Sequence, residues 1–162
     1  MTMKIGVISD THDDFENTKK AVELFKNENV DFAIHLGDYI SPPIVRLFKG
    51  LKLIGVFGNN DGYKHMLLRA FDEIGGELKG DFAVVDAEGI KIALYHGEFR
   101  EISEALAKSQ SYDIVLTGHL HKSEIKEIGK TLWISVGSAN RFLSESPEVV
   151  ILEGRKFKFV KI

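Results

Sequence analysis

Seven side chains of this sequence belong to types that ligate divalent metals, and they are concentrated in five short polar motifs. Each motif follows or ends an apolar run of the chain. Oxygen and imidazole ligands of this kind can hold a pair of divalent ions. The set consists of two aspartates, one asparagine and four histidines, which are Asp10, His12, Asp38, Asn59, His96, His119 and His121.

The strongest single motif is Gly118-His119-Leu120-His121, which directly follows the apolar run Ile114–Thr117. Two histidines at positions i and i+2 after such a run are hard to explain by packing. The structural alternative, in which one histidine is hydrogen-bonded near the core, would make their pairing a coincidence. The motif therefore favours metal ligation.

The other four motifs have structural alternatives when each is taken alone. Asp10-Thr11-His12 could cap a helix, although residues i and i+2 of an extended chain point the same way and could hold one ion. Gly37-Asp38 and the segment 58–62 are turn-prone, and a lone His96 is more often structural. Their interpretation as ligands depends on the motifs being taken together.

The elements that would position these residues alternate between strands and helices in the first half of the chain and are mostly strands in the second. We predict an α/β fold of two packed mixed β-sheets flanked by helices, with a single doubly wound sheet as the alternative. Polar motifs at strand ends would then gather at one edge. Helices are predicted at about 16–27, after Ser41-Pro42, around 67–74 and around Ile102–Lys108. Strands are predicted at Ile5–Ile8, Phe32–Leu36, Leu53–Phe57, Phe82–Val85, Ile90–Tyr95, Ile114–Thr117, Glu124–Ile128, Leu132–Val136 and Lys156–Lys161.

Length and composition fit one domain spanning residues 1–162, because the chain is long enough for a substantial core. The absence of cysteine excludes disulfides, thiolate metal sites and cysteine nucleophiles. A net charge of −3 gives no argument for broad attraction to nucleic acid or membrane. No signal peptide and no apolar run of about 20 residues is recognisable, so we expect a cytoplasmic location and no membrane partner.

In their order along the chain, the motifs resemble those of the calcineurin-like metallophosphoesterase superfamily. That family carries D-x-H, G-D, G-N-H-[DE], a later histidine and G-H-x-H. The short length and compact spacing look most like its small bacterial and archaeal phosphodiesterase branch. The resemblance implies a metallophosphoesterase-like αββα sandwich.

The resemblance also implies two divalent ions bridged by Asp38. Mn²⁺ is the expected metal, with Ni²⁺, Zn²⁺ and Fe as alternatives, and the ions would lie about 3.5–4 Å apart. A metal-bound hydroxide would attack the phosphorus of a small phosphodiester directly, and nucleotide-derived diesters are among the candidate substrates. Small relatives often form homodimers or homotetramers. One ion would be held by Asp10, His12, Asp38 and His121, and the other by Asp38, Asn59, His96 and His119.

Asn60 departs from the family pattern. Many members have at this position a histidine that protonates the leaving group or holds a phosphate oxygen, and the residue that corresponds to Asp61 orients that histidine. Both positions are predicted to be catalytic. Asparagine can donate a hydrogen bond but is not an acid near neutral pH. We therefore predict a preference for phosphodiesters with acidic leaving groups, such as aryl diesters.

Three further residues are predicted to lie outside the ligand set. His35 is predicted to be structural and His65 an exposed helix residue. Glu98 stands where many small relatives have a histidine, and the favoured interpretation is a solvated loop carboxylate, with tuning of His96 as the alternative.

Two functions of other classes compete with the enzyme. A non-catalytic interaction scaffold can share this fold, as the retromer scaffold subunit does, but a scaffold could lose ligands that are all present here. A nucleotide-binding domain lacks support because neither G-x-G-x-x-G nor a Walker motif occurs.

Overall fold

The computed structural model describes residues 2–162, which form two β-sheets and four α-helices. The first half contains β1 (Lys4–Ile8), α1 (Phe15–Asn27), β2 (Phe32–His35), α2 (Pro42–Arg46), β3 (Leu53–Gly55) and α3 (Lys64–Ile74). The second half contains β4 (Glu77–Leu78), β5 (Phe82–Ala87), β6 (Ile90–Tyr95), α4 (Arg100–Lys108), β7 (Ile114–Thr117), β8 (Glu124–Ile128), β9 (Thr131–Ser135), β10 (Glu148–Glu153) and β11 (Lys156–Lys161).

The polar motifs follow strands of both sheets, and within each sheet they lie at the ends of neighbouring strands. The six-stranded sheet has the order β11-β10-β1-β2-β3-β4, and β1 to β4 run parallel. The five-stranded sheet has the order β5-β6-β7-β9-β8, and its central strands β6, β7 and β9 are also parallel. Within each sheet, the loops that follow parallel strands therefore leave from the same edge.

Three apolar clusters define the layers of the fold. The first joins residues of both sheets, for example Ile34 of β2 and Leu116 of β7, and so lies between the sheets. The second packs the other face of the six-stranded sheet against α1, α2 and α3, and Phe25 and Phe71 are among its fully buried side chains. The third packs α4 against Trp133 of the five-stranded sheet. The prediction of two packed sheets flanked by helices is thus confirmed, and the doubly wound alternative is wrong.

Local signals account for most element ends. The Asp14 side chain caps α1 by accepting a hydrogen bond from the backbone N–H of Asn17 at 3.1 Å. Gly75 ends α3 in the left-handed conformation with φ of 71°. Ser41 precedes α2 as predicted, but its hydroxyl donates to Asp13 Oδ1 at 2.6 Å and makes no capping bond.

The sequence did not reveal β4 and β10. Strand β10 lies between β1 and β11, and its four central residues 149–152 are buried, so it lacks the alternation of a half-exposed strand. Strand β4 has only two residues and pairs with the end of β3. Predicted strand Leu53–Phe57 is shorter in the structure and ends at Gly55.

Candidate metal centre

The structure brings the seven predicted ligand side chains into one cluster at the meeting point of the two sheets. His12 Nε2 and His96 Nε2 lie 3.2 Å and 3.4 Å from the same atom, Oδ2 of Asp38. His121 Nε2 lies 3.2 Å from Asp10 Oδ1. The remaining two residues adjoin the cluster, since His119 Nδ1 is 3.1 Å from Asn59 Oδ1 and 3.3 Å from His96 Nε2.

Two groups within this cluster have ligand atoms within 4.8 Å of one another. One consists of Asp10, His12 and His121, and the other of Asp10, Asp38 and His96. The first group contains three of the four members of one ligand set implied by the family resemblance, and Asp38 is the member that it lacks. The second differs from expectation because Asp10 Oδ1 also lies 3.9 Å from His96 Nε2, so Asp10 faces both halves of the centre.

Two buried polar atoms in the cluster have no hydrogen-bond partner within the described part of the chain. They are Asp10 Oδ1 and His12 Nε2, which lie 3.6 Å apart. The other oxygen of Asp10 is occupied, because it accepts hydrogen bonds from the Ser9 hydroxyl at 2.5 Å and from the backbone N–H of His119 at 2.9 Å. Buried polar atoms left without a partner cost free energy. A cation between these atoms would satisfy both, so the residues fit a divalent metal.

The two carboxylates are ionised. Burial by itself would raise the pKa of Asp10 and of Asp38. The neighbouring imidazoles outweigh burial, those of His12 and His121 at Asp10 and those of His12 and His96 at Asp38, and hold both pKa values well below the usual range. Paired negative charge at this edge of the sheets is therefore present at any pH near neutrality.

The same interaction acts in reverse on two histidines. Burial alone would lower the pKa of His12 and of His96. The adjacent Asp10 and Asp38 carboxylates have the larger, opposite effect and raise the pKa to about 9 in each case. Without metal, both imidazoles are protonated at neutral pH and balance the carboxylates. A bound cation would replace these protons, because only the neutral ring is a ligand.

Backbone strain is concentrated in the predicted ligands. Five of the seven have positive φ, namely Asp10 at 53°, His12 at 40°, Asp38 at 61°, His119 at 69° and His121 at 54°. Such non-glycine conformations cluster at functional sites. They also correct the sequence argument that Asp10 and His12 share a direction because the chain is extended: it is not extended there, and the folded loop brings the two side chains together.

Two glycines allow the loops to approach one another closely. A Cβ at Gly58 would lie 2.2 Å from Asp38 Oδ1. A Cβ at Gly118 would lie 2.0 Å from Ser9 Oγ and 2.7 Å from Asp10 Oδ2. Since real Cβ atoms do not approach other atoms this closely, any side chain at either position would displace a carboxylate of the centre.

His96 and His35 are held in defined orientations. His96 Nδ1 lies 2.7 Å from the carbonyl oxygen of Leu36 and donates to it, which leaves Nε2 free to face the carboxylates. His35 Nδ1 accepts from the backbone N–H of Gly37 at 3.1 Å, so its Nε2 carries the proton and donates to Thr11 Oγ1 at 3.1 Å. Burial lowers the pKa of His35 to about 3, so the ring is neutral and has the structural role predicted for it.

Asn60 and Asp61 both contact Asp38. The side-chain amide of Asn60 donates to Asp38 Oδ2 at 2.9 Å, and its backbone N–H donates to Asp38 Oδ1 at 2.9 Å. The buried carboxylate of Asp61 accepts from the backbone N–H groups of Asp38, Gly58 and Ile40 at 2.8, 2.7 and 3.0 Å. Burial raises the pKa of Asp61, although these hydrogen bonds oppose the shift. Asp61 therefore accepts from two backbone amides of the Asp38 loop and one of its own loop.

The sequence did not identify the residues that support the first ligand loop from behind. Ser138 Oγ donates to the carbonyl oxygen of Asp10 at 2.7 Å. The Asn140 amide donates to the carbonyl oxygens of Thr11 and His12 at 3.1 and 3.2 Å. Small polar residues just after β9 were the only sequence signal for this support, and they do not differ from those of an ordinary loop.

Three other residues lie away from the ligand cluster or at its edge, and two of them, His65 and Glu98, were singled out from the sequence. His65 is exposed on α3, as predicted. Arg141 pairs with Asp14 and Glu16 at the surface. For Glu98 the prediction of a solvated carboxylate is wrong for one oxygen, because Oε2 is buried without a hydrogen-bond partner within residues 2–162.

Comparison with known proteins identifies relatives of the whole chain. Residues 3–156 match the calcineurin-like phosphoesterase superfamily domain. A phosphodiesterase of Methanocaldococcus jannaschii is 36% identical over 163 aligned residues, which cover 99% of this chain and 98% of the relative. Among residues 2–162, no helix is both long enough and apolar enough to cross a bilayer.

Solved structures agree with the sequence comparison. The structure of an archaeal phosphodiesterase superimposes with a TM-score of 0.93 at 33% identity, covering 99% of this chain and 100% of the other. A zinc-complexed Vps29 from Entamoeba histolytica has a TM-score of 0.66 at 20% identity, with coverage of 99% and 98%. The second similarity shows that the fold is shared and nothing further.

Proposed function

The chain belongs to the calcineurin-like phosphoesterase superfamily, and from that premise we propose that it is a metal-dependent phosphodiesterase formed by one domain. The observation that carries this proposal is the pair of buried ligand atoms without a hydrogen-bond partner, Asp10 Oδ1 and His12 Nε2. They belong to a cluster that also contains the ionised carboxylate of Asp38. The similarity to phosphodiesterases over nearly the full length of both chains supports it.

Two divalent ions would be held by the ligand sets that the family resemblance implies, with Asp38 shared between them. Asp38 Oδ2 is suited to this role because it lies between His12 of one set and His96 of the other. Asp10 contributes to the first set and adds negative charge close to the second. Mn²⁺, a dimer or tetramer, and a cytoplasmic location stay predictions.

The exposure of the ligands indicates where a substrate would enter. The side chains of Asp10, Asp38 and His96 are completely buried, whereas those of His12 and His121 are 19% and 30% exposed. Asn59 and Asn60 are exposed as well. The buried residues therefore form the floor of the site, and the phosphate would approach across the rim made by the exposed ones.

Bound divalent ions would supply an activated water and would neutralise charge on the phosphate oxygens. In hydrolysis, the water oxygen bonds to phosphorus, the bond from phosphorus to the leaving oxygen breaks, and that oxygen takes up a proton. The residues of this chain position the phosphate and exclude water from the floor. The exposed imidazoles would be metal ligands and the exposed amides of Asn59 and Asn60 are not acids, so the proton for the leaving oxygen would come from solvent.

One experiment tests the proposal. Metal would be removed, Mn²⁺, Ni²⁺, Zn²⁺ or Mg²⁺ added back, and turnover of a bis-aryl phosphodiester compared with that of an aryl phosphomonoester. We expect turnover of the diester with at least one ion and slower turnover of the monoester. A protein that retains metal, as verified by elemental analysis, yet hydrolyses neither compound would fit the scaffold alternative and contradict the proposal.

A further inference from the structure

Asn60 directs its hydrogen-bond donors inward although the residue is exposed. Its side-chain amide and its backbone N–H each donate to a different oxygen of the Asp38 carboxylate, both at 2.9 Å. An exposed asparagine in a turn is usually solvated, and donation by two of its groups to one carboxylate restricts that carboxylate in position and rotation. The position that is an acid in many relatives is directed here toward a ligand of the metal centre.

The surroundings of Asp38 reinforce this restriction. Oδ1 is closed off on one side by Gly58, where a Cβ would lie only 2.2 Å away. Oδ2, the oxygen that accepts the Asn60 amide, also faces His12 and His96 at 3.2 and 3.4 Å. Asp61 fixes the backbone of the same residue by accepting its N–H at 2.8 Å. Neighbouring residues of one loop thus hold both the main chain and the side chain of Asp38.

We infer that Asn60 is a positioning residue that clamps the Asp38 carboxylate, so that Oδ2 is presented to both halves of the metal centre. This inference rests on the proposed two-metal phosphodiesterase. In this role Asn60 acts by positioning Asp38 and does not contact the leaving group. Partners of metal ligands orient the ligands, and their loss typically weakens metal binding about 10–100-fold.

The test compares Asn60→Ala with a control from the same loop. Asn60→Ala removes the amide donor and keeps the backbone N–H, whereas Tyr63→Ala truncates a side chain that is 67% exposed and has no hydrogen bond to Asp38. Titration calorimetry of Mn²⁺ into each metal-free protein should show about 10–100-fold weaker binding for Asn60→Ala and unchanged binding for Tyr63→Ala. The exchange-coupled electron paramagnetic resonance signal of two bridged Mn²⁺ ions should fall in parallel.

Asn60→Gln serves as the conservative variant, because it keeps an amide donor on a side chain one methylene longer. Its Mn²⁺ affinity should lie between those of the wild type and Asn60→Ala. The thermal melting curves of all three proteins should be similar, which would show that the fold is unchanged. Wild-type affinity and an unchanged coupled signal in Asn60→Ala would overturn the inference. The Tyr63→Ala control distinguishes the clamp from a general loosening of the loop. If truncation of any side chain in this loop weakened Mn²⁺ binding, Tyr63→Ala would lose affinity as well.

Substrates of different leaving groups provide a second readout. With a clamp, Asn60→Ala at limiting Mn²⁺ should lose turnover to the same extent for aryl and alkyl diesters, and excess Mn²⁺ should restore much of it. A loss confined to alkyl diesters would show that Asn60 acts on the leaving group and would overturn the inference. If the wild type hydrolyses no diester, the proposed function fails, while the calorimetric difference still decides the clamp.

Discussion

The two sheets contribute different chemistry to the metal centre. The loops of the six-stranded sheet supply every oxygen ligand, Asp10, Asp38 and Asn59, together with a single imidazole. The loops of the five-stranded sheet supply imidazoles alone. Three contacts shorter than 3.5 Å join a ligand oxygen of the first sheet to a ring of the second. They are 3.2 Å for Asp10 and His121, 3.4 Å for Asp38 and His96, and 3.1 Å for Asn59 and His119.

This division shows that neither sheet is a metal site by itself. The first sheet would attract a cation by charge but offers only His12 as a nitrogen ligand. The second offers three nitrogen ligands without a carboxylate to hold the charge. The centre is therefore a product of sheet packing, and the apolar cluster between the sheets is a condition for function.

The largest effect on activity and metal binding should come from substitution of Asp38, because this residue of the first sheet faces both halves of the metal centre. Asp38→Ala should abolish turnover and weaken the binding of both ions by on the order of 10²-fold or more, because a carboxylate shared by the two ions is lost. Asp72→Ala, which removes an exposed carboxylate from α3, is the control. Metal titration and diester turnover measure the outcome, and retained activity would show that the bridging assignment is wrong.

The imidazoles of the second sheet should affect one ion each. His96→Ala should reduce bound metal from two ions to one while sparing the ion near His12, and His121→Ala should do the converse. Elemental analysis after gel filtration gives the stoichiometry. Equal loss of both ions from either variant would contradict the division into two halves.

Protons should compete with metal where imidazoles of both sheets face the carboxylates. Because the pKa values of His12 and His96 are about 9 without metal, Mn²⁺ binding at neutral pH should release a proton from each ring. Affinity should then rise as pH rises, by about tenfold per pH unit for each proton released, and level off above about pH 9. Calorimetry in buffers of different ionisation enthalpy counts the protons. Release of none at neutral pH would contradict the raised pKa values.

His35 anchors the first ligand loop of the six-stranded sheet and should make folding sensitive to acid. Its folded pKa of about 3 lies below the usual 6.5, so on acidification the unfolded chain takes up the proton first. Its contribution to stability is complete above about pH 6.5 and is lost as pH falls toward 3, with a limiting slope of about 1.4 kcal/mol per pH unit. Denaturant unfolding of the metal-free protein should show a smaller slope in His35→Gln than in the control His65→Gln. Identical slopes would refute this origin.

An added acid at position 60 should have the smallest effect. Asn60→His should improve turnover of alkyl diesters relative to aryl diesters, but by less than the about 10²- to 10⁴-fold typical of general acid catalysis. The gain is limited because Asp61, which would orient the ring, is occupied by three backbone N–H groups. A comparison of rates at saturating Mn²⁺ measures the change. Equal effects on both substrates would count against the leaving-group hypothesis.

Sequence reasoning was most reliable where residue type and element end coincide. His119 and His121 directly follow a buried strand, and parallel strands of one sheet bring such ends to one edge. Convergence of all five motifs could not be proved from the sequence, because it depends on how the strands of two sheets are placed. Strand β10 was missed because a short run buried on both faces has no alternation to reveal it. Neither the inward direction of Asn60 nor the contact of Asp10 with both halves could be predicted, because each depends on the conformation of folded loops.

The positive φ angles of the ligands have a consequence for how this protein could change under selection. Left-handed backbone costs non-glycine residues roughly 1–2 kcal/mol each, and five predicted ligands adopt it. At the partly exposed His121, glycine would relieve the backbone with little loss of packing. Selection for heat resistance alone would therefore favour glycine there and remove a ligand. In its proposed role as a metal ligand, His121 would thus trade backbone stability for metal binding.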